Sequence, residues 1–342
     1  MFEAGNSEQK RMRACAHAVG ELHMIIFTRK EDNLSRLELE PGFTIHPTNS
    51  KSKVHMVLDA IAIASRLVSA RSDELCVVTT QDAFEAGLVG YLVKRRHHHL
   101  HLTIQEHGDV FGHPYWRQES LLNRIRYVFG LWLLKQADTI RTVSTRITEK
   151  MSARGYQANL TQLPVVVHTE QFRGLSASSQ DTDTFTYITV GRFVPQKNLP
   201  LLLRAFFRAW QSNPKLRLMM VGKGPKQSAI QALAHELFGS DNSPVSFVDW
   251  SDDVASLMQQ ADAYVLSSNY EGWGRVLVEA VLLKLPIVTT EVGCVGEVVH
   301  DGQEGLVVPV GDEDELTRAL QRLASDGELY DQLVQHLHHL SP

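Results

Sequence analysis

Apolar residues arrive in short runs that end on polar residues or glycine, and amphipathic stretches separate the runs. The segment HMIIFT after Leu22, CVVTT at 76–80 and HLTIQEHG at 101–108 read as buried strands. Between and after them, residues 54–68, 85–95 and 121–136 place apolar positions at three-to-four spacing, which predicts helices. The second half repeats the rhythm more regularly. Strands are expected at TYITVGR (186–192), RLMMVGKG (217–224), VSFVDW (245–250), AYVLSS (263–268), PIVTT (286–290) and GLVVPV (305–310), with helices between them and a last helix from Glu313. Strands that alternate with helices imply parallel sheets, so the expected class is α/β with two doubly wound domains. The polar segment GLSASSQDTDT (174–184) reads as the loop at their junction, which divides the chain into 1–170 and 171–342. Two such sheets in tandem are expected to face each other across a cleft at the carboxyl ends of their strands, where ligands bind in this architecture.

Composition narrows the field. The chain has 342 residues, 43% hydrophobic and 21% charged, which suits two globular domains. No run approaches the roughly 18 apolar residues of a spanning helix, and the start, Met1 to Asn6, has neither a basic leader nor an apolar signal core. Cys15, Cys76 and Cys294 are odd in number and far apart, which suggests no disulfide framework and no zinc site and fits a reducing cytoplasm. Residues 1–170 hold 21 Lys+Arg against 18 Asp+Glu, and residues 171–342 hold 13 against 21, so net charges of +3 and −8 make up the total of −5. Neither half is basic enough for a nucleic-acid binder.

Chemistry concentrates at strand ends in the second half. Arg192 and Lys197 share the loop after TYITVGR, just before a helix, where a planar guanidinium fork and a point charge suit a diphosphate. Two solvated surface cations in a turn is the plain alternative. The next strand ends Val221-Gly222-Lys223-Gly224, a glycine pair that admits close backbone approach to a ligand or simply makes a strand-to-helix turn. In Glu271-Gly272-Trp273-Gly274-Arg275-Val276-Leu277-Val278-Glu279 two carboxylates stand eight residues apart, a little over two helical turns. They can enter one cleft as acceptors for paired sugar hydroxyls, unless Glu279 is an ordinary satisfied helix residue.

These motifs in order resemble the C-terminal domain of family 4 glycosyltransferases of the GT-B fold, whose marks are a GR…K loop, a VGxG strand end, an E-x7-E motif and a later glycine-rich loop before a glutamate. Here they are Gly191-Arg192 with Lys197, Val221 to Gly224, Glu271 to Glu279, and Val292-Gly293-Cys294-Val295-Gly296-Glu297. The first half resembles the family's acceptor domain through Glu106-His107-Gly108 and Val143-Ser144. The resemblance implies two Rossmann-like domains and a retaining, metal-independent transfer from a UDP- or GDP-sugar to a glycan or lipid-linked acceptor, with no cofactor. It assigns the donor diphosphate to Arg192 and Lys197, the ribose to Glu279, and the transferred sugar to Glu271, with Gly191 also on the donor side. Gly222, Gly224, Gly272, Trp273 and Gly274 join the donor side, and His107 lies beside the sugar, with Gly5 and Asn6 on the acceptor side.

Departures from the family pattern are the near absence of a strand ahead of Gly5, Pro164-Val165-Val166-Val167-His168 in place of Pro-Asn-Gly-Val-Asp, and Arg275 at a commonly apolar position. The competing readings are a non-catalytic sugar-nucleotide-binding or scaffolding subunit, a sugar-nucleotide epimerase, and a phosphorylase, for which no pyridoxal lysine is identifiable. Residues 117–135 interleave Arg117, Arg124, Arg126 and Lys135 with Tyr127, Phe129 and Trp132. This stretch reads either as a helix resting on an anionic membrane surface, which would make the protein peripheral on the inner face of the membrane, or as a buried helix with snorkelling cations.

Overall fold

A computed structural model describes residues 7–71, 76–156, 159–167, 172, 175, 183–239, 243–251 and 253–340. Gly5 and Asn6, and most of the junction expected near residue 170, lie outside the described residues. The chain forms two compact units, one of Met1–Gln105 with Val128–Arg141 and one of Glu106–Tyr127 with Thr142–Pro342.

The first unit begins with α1 (Ser7–Val19) and β1 (Leu22–Ile26), followed by β2 (Leu37–Glu40) and β3 (Phe43–Pro47). β1 pairs with β3 in parallel, and β2 runs antiparallel to β3 on its other side. The sequence pattern did not announce β2 or β3. In β3, Thr44 and His46 are buried along with Phe43 and Ile45, so the strand lacks the polar outer face that alternation would display. The polar pair is tolerated because His46 Nε2 shares a hydrogen bond with His23 Nδ1 at 3.1 Å, and burial lowers the His46 pKa to about 4, keeping the ring neutral.

Next come α2 (Lys53–Ser69), β4 (Val77–Thr80), α3 (Glu85–Arg96) and β5 (His101–Glu106). β4 and β5 pair in parallel, as the alternation of strands and helices predicts. α2 starts where Ser52 Oγ accepts the His55 amide, and its Ala60, Ile61, Ala64 and Val68 bury against Val89 and Val93 of α3. After α4 (Pro114–Gln118) and α5 (Leu121–Leu134), β6 (Thr139–Thr142) lies beside β5.

The second unit continues with α6 (Thr145–Ser152) and β7 (Leu160–Gln162), then β8 (Phe185–Val190), α7 (Leu199–Ser212), β9 (Leu216–Val221), α8 (Gln227–Phe238), β10 (Val245–Val248) and α9 (Val254–Met258). It ends with β11 (Ala263–Leu266), α10 (Arg275–Leu282), β12 (Ile287–Thr290), β13 (Gly305–Val308), α11 (Glu313–Ser325) and α12 (Gly327–His339). Among the described residues β8 to β13 form one wholly parallel sheet in the order β10-β9-β8-β11-β12-β13. Counted from β8, that order is 3-2-1-4-5-6, the Rossmann arrangement. Its core joins the apolar face of α7 (Leu202, Leu203, Phe206) to Leu218, Val265 and Val288 of the sheet and to Leu316 and Leu320 of α11. The single terminal helix expected from Glu313 is two helices. Asp326 leaves the helical conformation and accepts the Leu329 amide at 3.0 Å, so one aspartate ends α11 and caps α12.

Candidate active site

In a sheet of order 3-2-1-4-5-6 the chain reverses direction between strands 1 and 4, here β8 and β11, and the loops at their carboxyl ends part to leave a ligand crevice. The loop after β8 carries Gly191 to Asn198, and the loop after β11 carries Ser267 to Gly274. Hydrogen bonds zip the two together. Asn269 N donates to Gln196 O at 2.8 Å, Ser267 Oγ to Lys197 O at 2.9 Å, and Asn198 Nδ2 to Asn269 Oδ1 at 2.9 Å.

Glu271 is the hub. Its Oε1 accepts from Lys197 Nζ and Ser268 Oγ, each at 2.7 Å, and its Oε2 from Gln196 Nε2 at 3.2 Å, which also donates to Tyr270 O at 3.0 Å. The Lys197 and Glu271 side chains are only 16% and 10% exposed, so water screens this pair little. Of the two cations expected to meet a diphosphate, Lys197 is therefore committed to a carboxylate. Arg192 is exposed and without a side-chain partner among the described residues, and so is Lys223 between Gly222 and Gly224. Lys223, Ser268 and Gln196 went unremarked as site residues. The lysine sits inside the VGxG motif, and the other two sit one to three positions from residues already singled out.

The glycines hold loop against loop. A Cβ on Gly222 would stand 2.0 Å from Gly191 O, and one on Gly224 would stand 2.6 Å from Phe193 O. The backbone that approaches them is thus the loop after β8, and the same contact is tied by Phe193 N donating to Lys223 O at 3.0 Å. Gly274 precedes α10 at φ 78°, a left-handed turn that lets the carboxylate loop swing into the helix.

Glu279 lies in α10, 7% exposed, and Arg275 Nη2 stands 3.7 Å away. Burial raises its pKa, with the Arg275 charge opposing. A buried carboxylate with one distant cation still has acceptor capacity for a ligand hydroxyl. The ionised form is the better acceptor, so binding through Glu279 should strengthen as pH rises through its elevated pKa. We expect Glu279→Gln to weaken nucleoside-diphosphate binding at pH 7 by about 1.5 to 3 kcal/mol and to flatten this part of the pH profile, read by calorimetry from pH 5 to 8. Unchanged affinity and an unchanged profile would remove the ribose assignment.

His107 follows β5 and belongs to the same compact unit as Glu271. Its carbonyl oxygen would be only 1.6 Å from a Cβ on Gly272, so the 107–108 backbone lies directly on the carboxylate loop. From the other side, Gly293 packs on Trp273 O, and Cys294 N donates to that oxygen at 2.8 Å. Burial pushes the Cys294 thiol up to about 12, which leaves it protonated and unreactive. Trp273 is 8% exposed, and its Nε1 is buried with no hydrogen-bond partner among the described residues.

Residues 175–337 match the family described as "Glycosyl transferases group 1". Over that segment the chain is similar to the group 1 glycosyl transferases. It is 27% identical over 214 residues to the lipopolysaccharide core biosynthesis glycosyltransferase LpsE of Rhizobium meliloti (strain 1021), a match that spans 62% of this chain and 61% of that relative. Among solved structures it is similar to sucrose-phosphate synthase (tll1590) from Thermosynechococcus elongatus, at TM-score 0.74 and 20% identity over 98% of this chain and 88% of the other. It is also similar to Anabaena Alr3699/HepE in complex with UDP-glucose, at TM-score 0.67 and 18% identity over 87% and 80%. These likenesses establish the GT-B fold.

In this chain the glutamate that closes the glycine-rich loop after β12 has a structural task. Glu297 Oε1 accepts the Thr145 amide at 2.7 Å at the start of α6, and Oε2 accepts from Gln162 Nε2 at 3.0 Å. Among the described residues no group of three or more His, Cys, Asp or Glu is placed to hold a metal ion, and no helix is long and apolar enough to cross a membrane.

Proposed function

We propose that the chain transfers a sugar, with retention of anomeric configuration and without a metal ion, from a UDP- or GDP-sugar to a glycan or lipid-linked acceptor. The observation that carries this reading is the buried Glu271 network at the β8/β11 switch point, with Arg192 in the same loop as Lys197 and Lys223 against that loop, both exposed and without a side-chain partner among the described residues. The UDP-glucose held by the HepE neighbour supports a nucleotide sugar as donor.

In this reading Arg192 takes the diphosphate first, with Lys223 as a second cation. The diphosphate then competes with Glu271 for Lys197, and the released Glu271 oxygen accepts a hydroxyl of the transferred sugar. Glu279 accepts the ribose hydroxyls, and His107 borders the sugar. The bond from the anomeric carbon to the diphosphate oxygen breaks as the bond to the acceptor oxygen forms, and the acceptor's proton passes to the leaving phosphate oxygen. Negative charge grows on that oxygen during the step, so cations placed beforehand lower the barrier more than they strengthen ground-state binding.

Calorimetric titration of UDP and of GDP in the presence and absence of EDTA tests the charge assignment. One of the two should bind with the same affinity in both buffers, and Arg192→Ala should weaken it about tenfold or more, the loss of a charged hydrogen bond. Binding that disappears on chelation would overturn the metal-independent reading.

A further inference from the structure

Helix α5 is apolar on two sides. Gly130, Leu133 and Leu134 are buried, yet Leu121, Leu122, Ile125, Val128, Phe129 and Trp132 are 36–74% exposed. Their spacing of 0, 1, 4, 7, 8 and 11 puts the exposed six on one helical face, the pattern by which a helix normally meets a core. That face is exposed to solvent. Phe129 and Trp132 stack within it at 5.7 Å, and the Trp132 and Tyr91 rings meet in a T-shaped arrangement at 5.0 Å, so the aromatic end is held in place.

Charge says what the face fits. Residues 121–135 contain no carboxylate, and Arg124 and Lys135 are exposed without a side-chain partner among the described residues. Arg117, just upstream, lies over the Tyr127 ring at 4.8 Å. Fourteen residues make a helix of about 21 Å, too short to cross the roughly 30 Å hydrocarbon layer but suited to lying in its border. A water-facing apolar stripe with tryptophan and phenylalanine, edged by cations and free of acids, is the pattern of an interfacial helix.

We propose that the exposed face of α5 inserts into the headgroup border of an anionic bilayer, with Arg124 and Lys135 at headgroup level. Insertion of the apolar face supplies the attachment and the cations select the lipid. Arg126, the other arginine of this helix, is half-buried and engaged with a partner, so Lys135 serves as the second cation. The attachment needs neither donor nor acceptor, so its failure would leave the transferase reading intact.

The test is co-sedimentation of the full chain with vesicles of phosphatidylcholine alone, or of phosphatidylcholine and phosphatidylglycerol at roughly three to one, with a parallel set brominated in the acyl chains. The wild type should pellet with the anionic vesicles, keep much of that binding in high salt, and lose tryptophan emission to the brominated chains. The Ile125→Ser/Trp132→Ser variant should bind at least about tenfold more weakly and lose most of the quenching, while Arg124→Glu/Lys135→Glu should lose binding mainly to the anionic vesicles. Circular dichroism and thermal melts confirm that both variants fold. Wild-type binding by the serine variant, binding abolished by salt alone, or no binding to either vesicle would overturn the proposal. So would light scattering that shows a wild-type dimer returned to monomer by the serine variant, because a second copy would then cover the face.

Discussion

Replacing Glu271 by alanine is expected to lower the transfer rate by about a hundredfold or more while leaving nucleoside-diphosphate affinity unchanged or tighter. The carboxylate holds Lys197, Ser268 and Gln196 at 2.7, 2.7 and 3.2 Å, so its loss frees the ammonium for a diphosphate and removes the acceptor assigned to the sugar. Stability should fall by about 3 kcal/mol, the lower end for breaking a buried ion pair, because Lys197 keeps some access to water. Glu271→Gln retains the size and part of the hydrogen bonding, so it should recover stability without recovering rate. Denaturant melts, calorimetry with UDP and GDP, and initial rates separate the three quantities. If diphosphate affinity falls as steeply as the rate, Glu271 supports the diphosphate site and the sugar assignment is wrong.

The second half of the chain was legible because each buried parallel strand is a continuous apolar run stopped by glycine or a polar residue. TYITVGR, RLMMVGKG and AYVLSS read as buried strands, and they are β8, β9 and β11. The first half was less so. β6 has only Ile140 as an apolar residue, and β3 buries a threonine and a histidine, so neither has the pattern that marks a strand. The motifs pointed to the β8 and β11 loops because ligand chemistry there needs named residue types. What they could not convey is who holds whom. The VGxG glycines read as room for a ligand, and they make room first for the backbone of Gly191 and Phe193. Lys197 read as a free cation, and it is bound to Glu271. Both facts depend on which strands are neighbours, and sheet order is not written in any local stretch of sequence.

The same dependence on distant backbone underlies the expected effect of Gly272→Ala. A Cβ at this position would stand 1.6 Å from His107 O and 2.5 Å from His107 C. The obstacle is peptide backbone, which no rotamer change can relieve, so either the loop after β5 or the carboxylate loop must shift. Overpacking of this kind costs about 1 to 3 kcal/mol, and the upper end is expected here because the obstacle is backbone on both sides of the contact. Gly296→Ala is the matched control. It places alanine at φ 88° with open space around the new Cβ, so only the left-handed backbone penalty of about 1 kcal/mol applies. Urea melts should therefore rank Gly272→Ala well below Gly296→Ala. At a temperature where both variants remain folded, Gly272→Ala should still transfer sugar about tenfold or more slowly than Gly296→Ala, because the displaced segments carry His107 on one side and Glu271 on the other. Equal stability and equal turnover in the two variants would mean that the 107–108 backbone does not rest on the carboxylate loop, and His107 would lose its place beside the sugar.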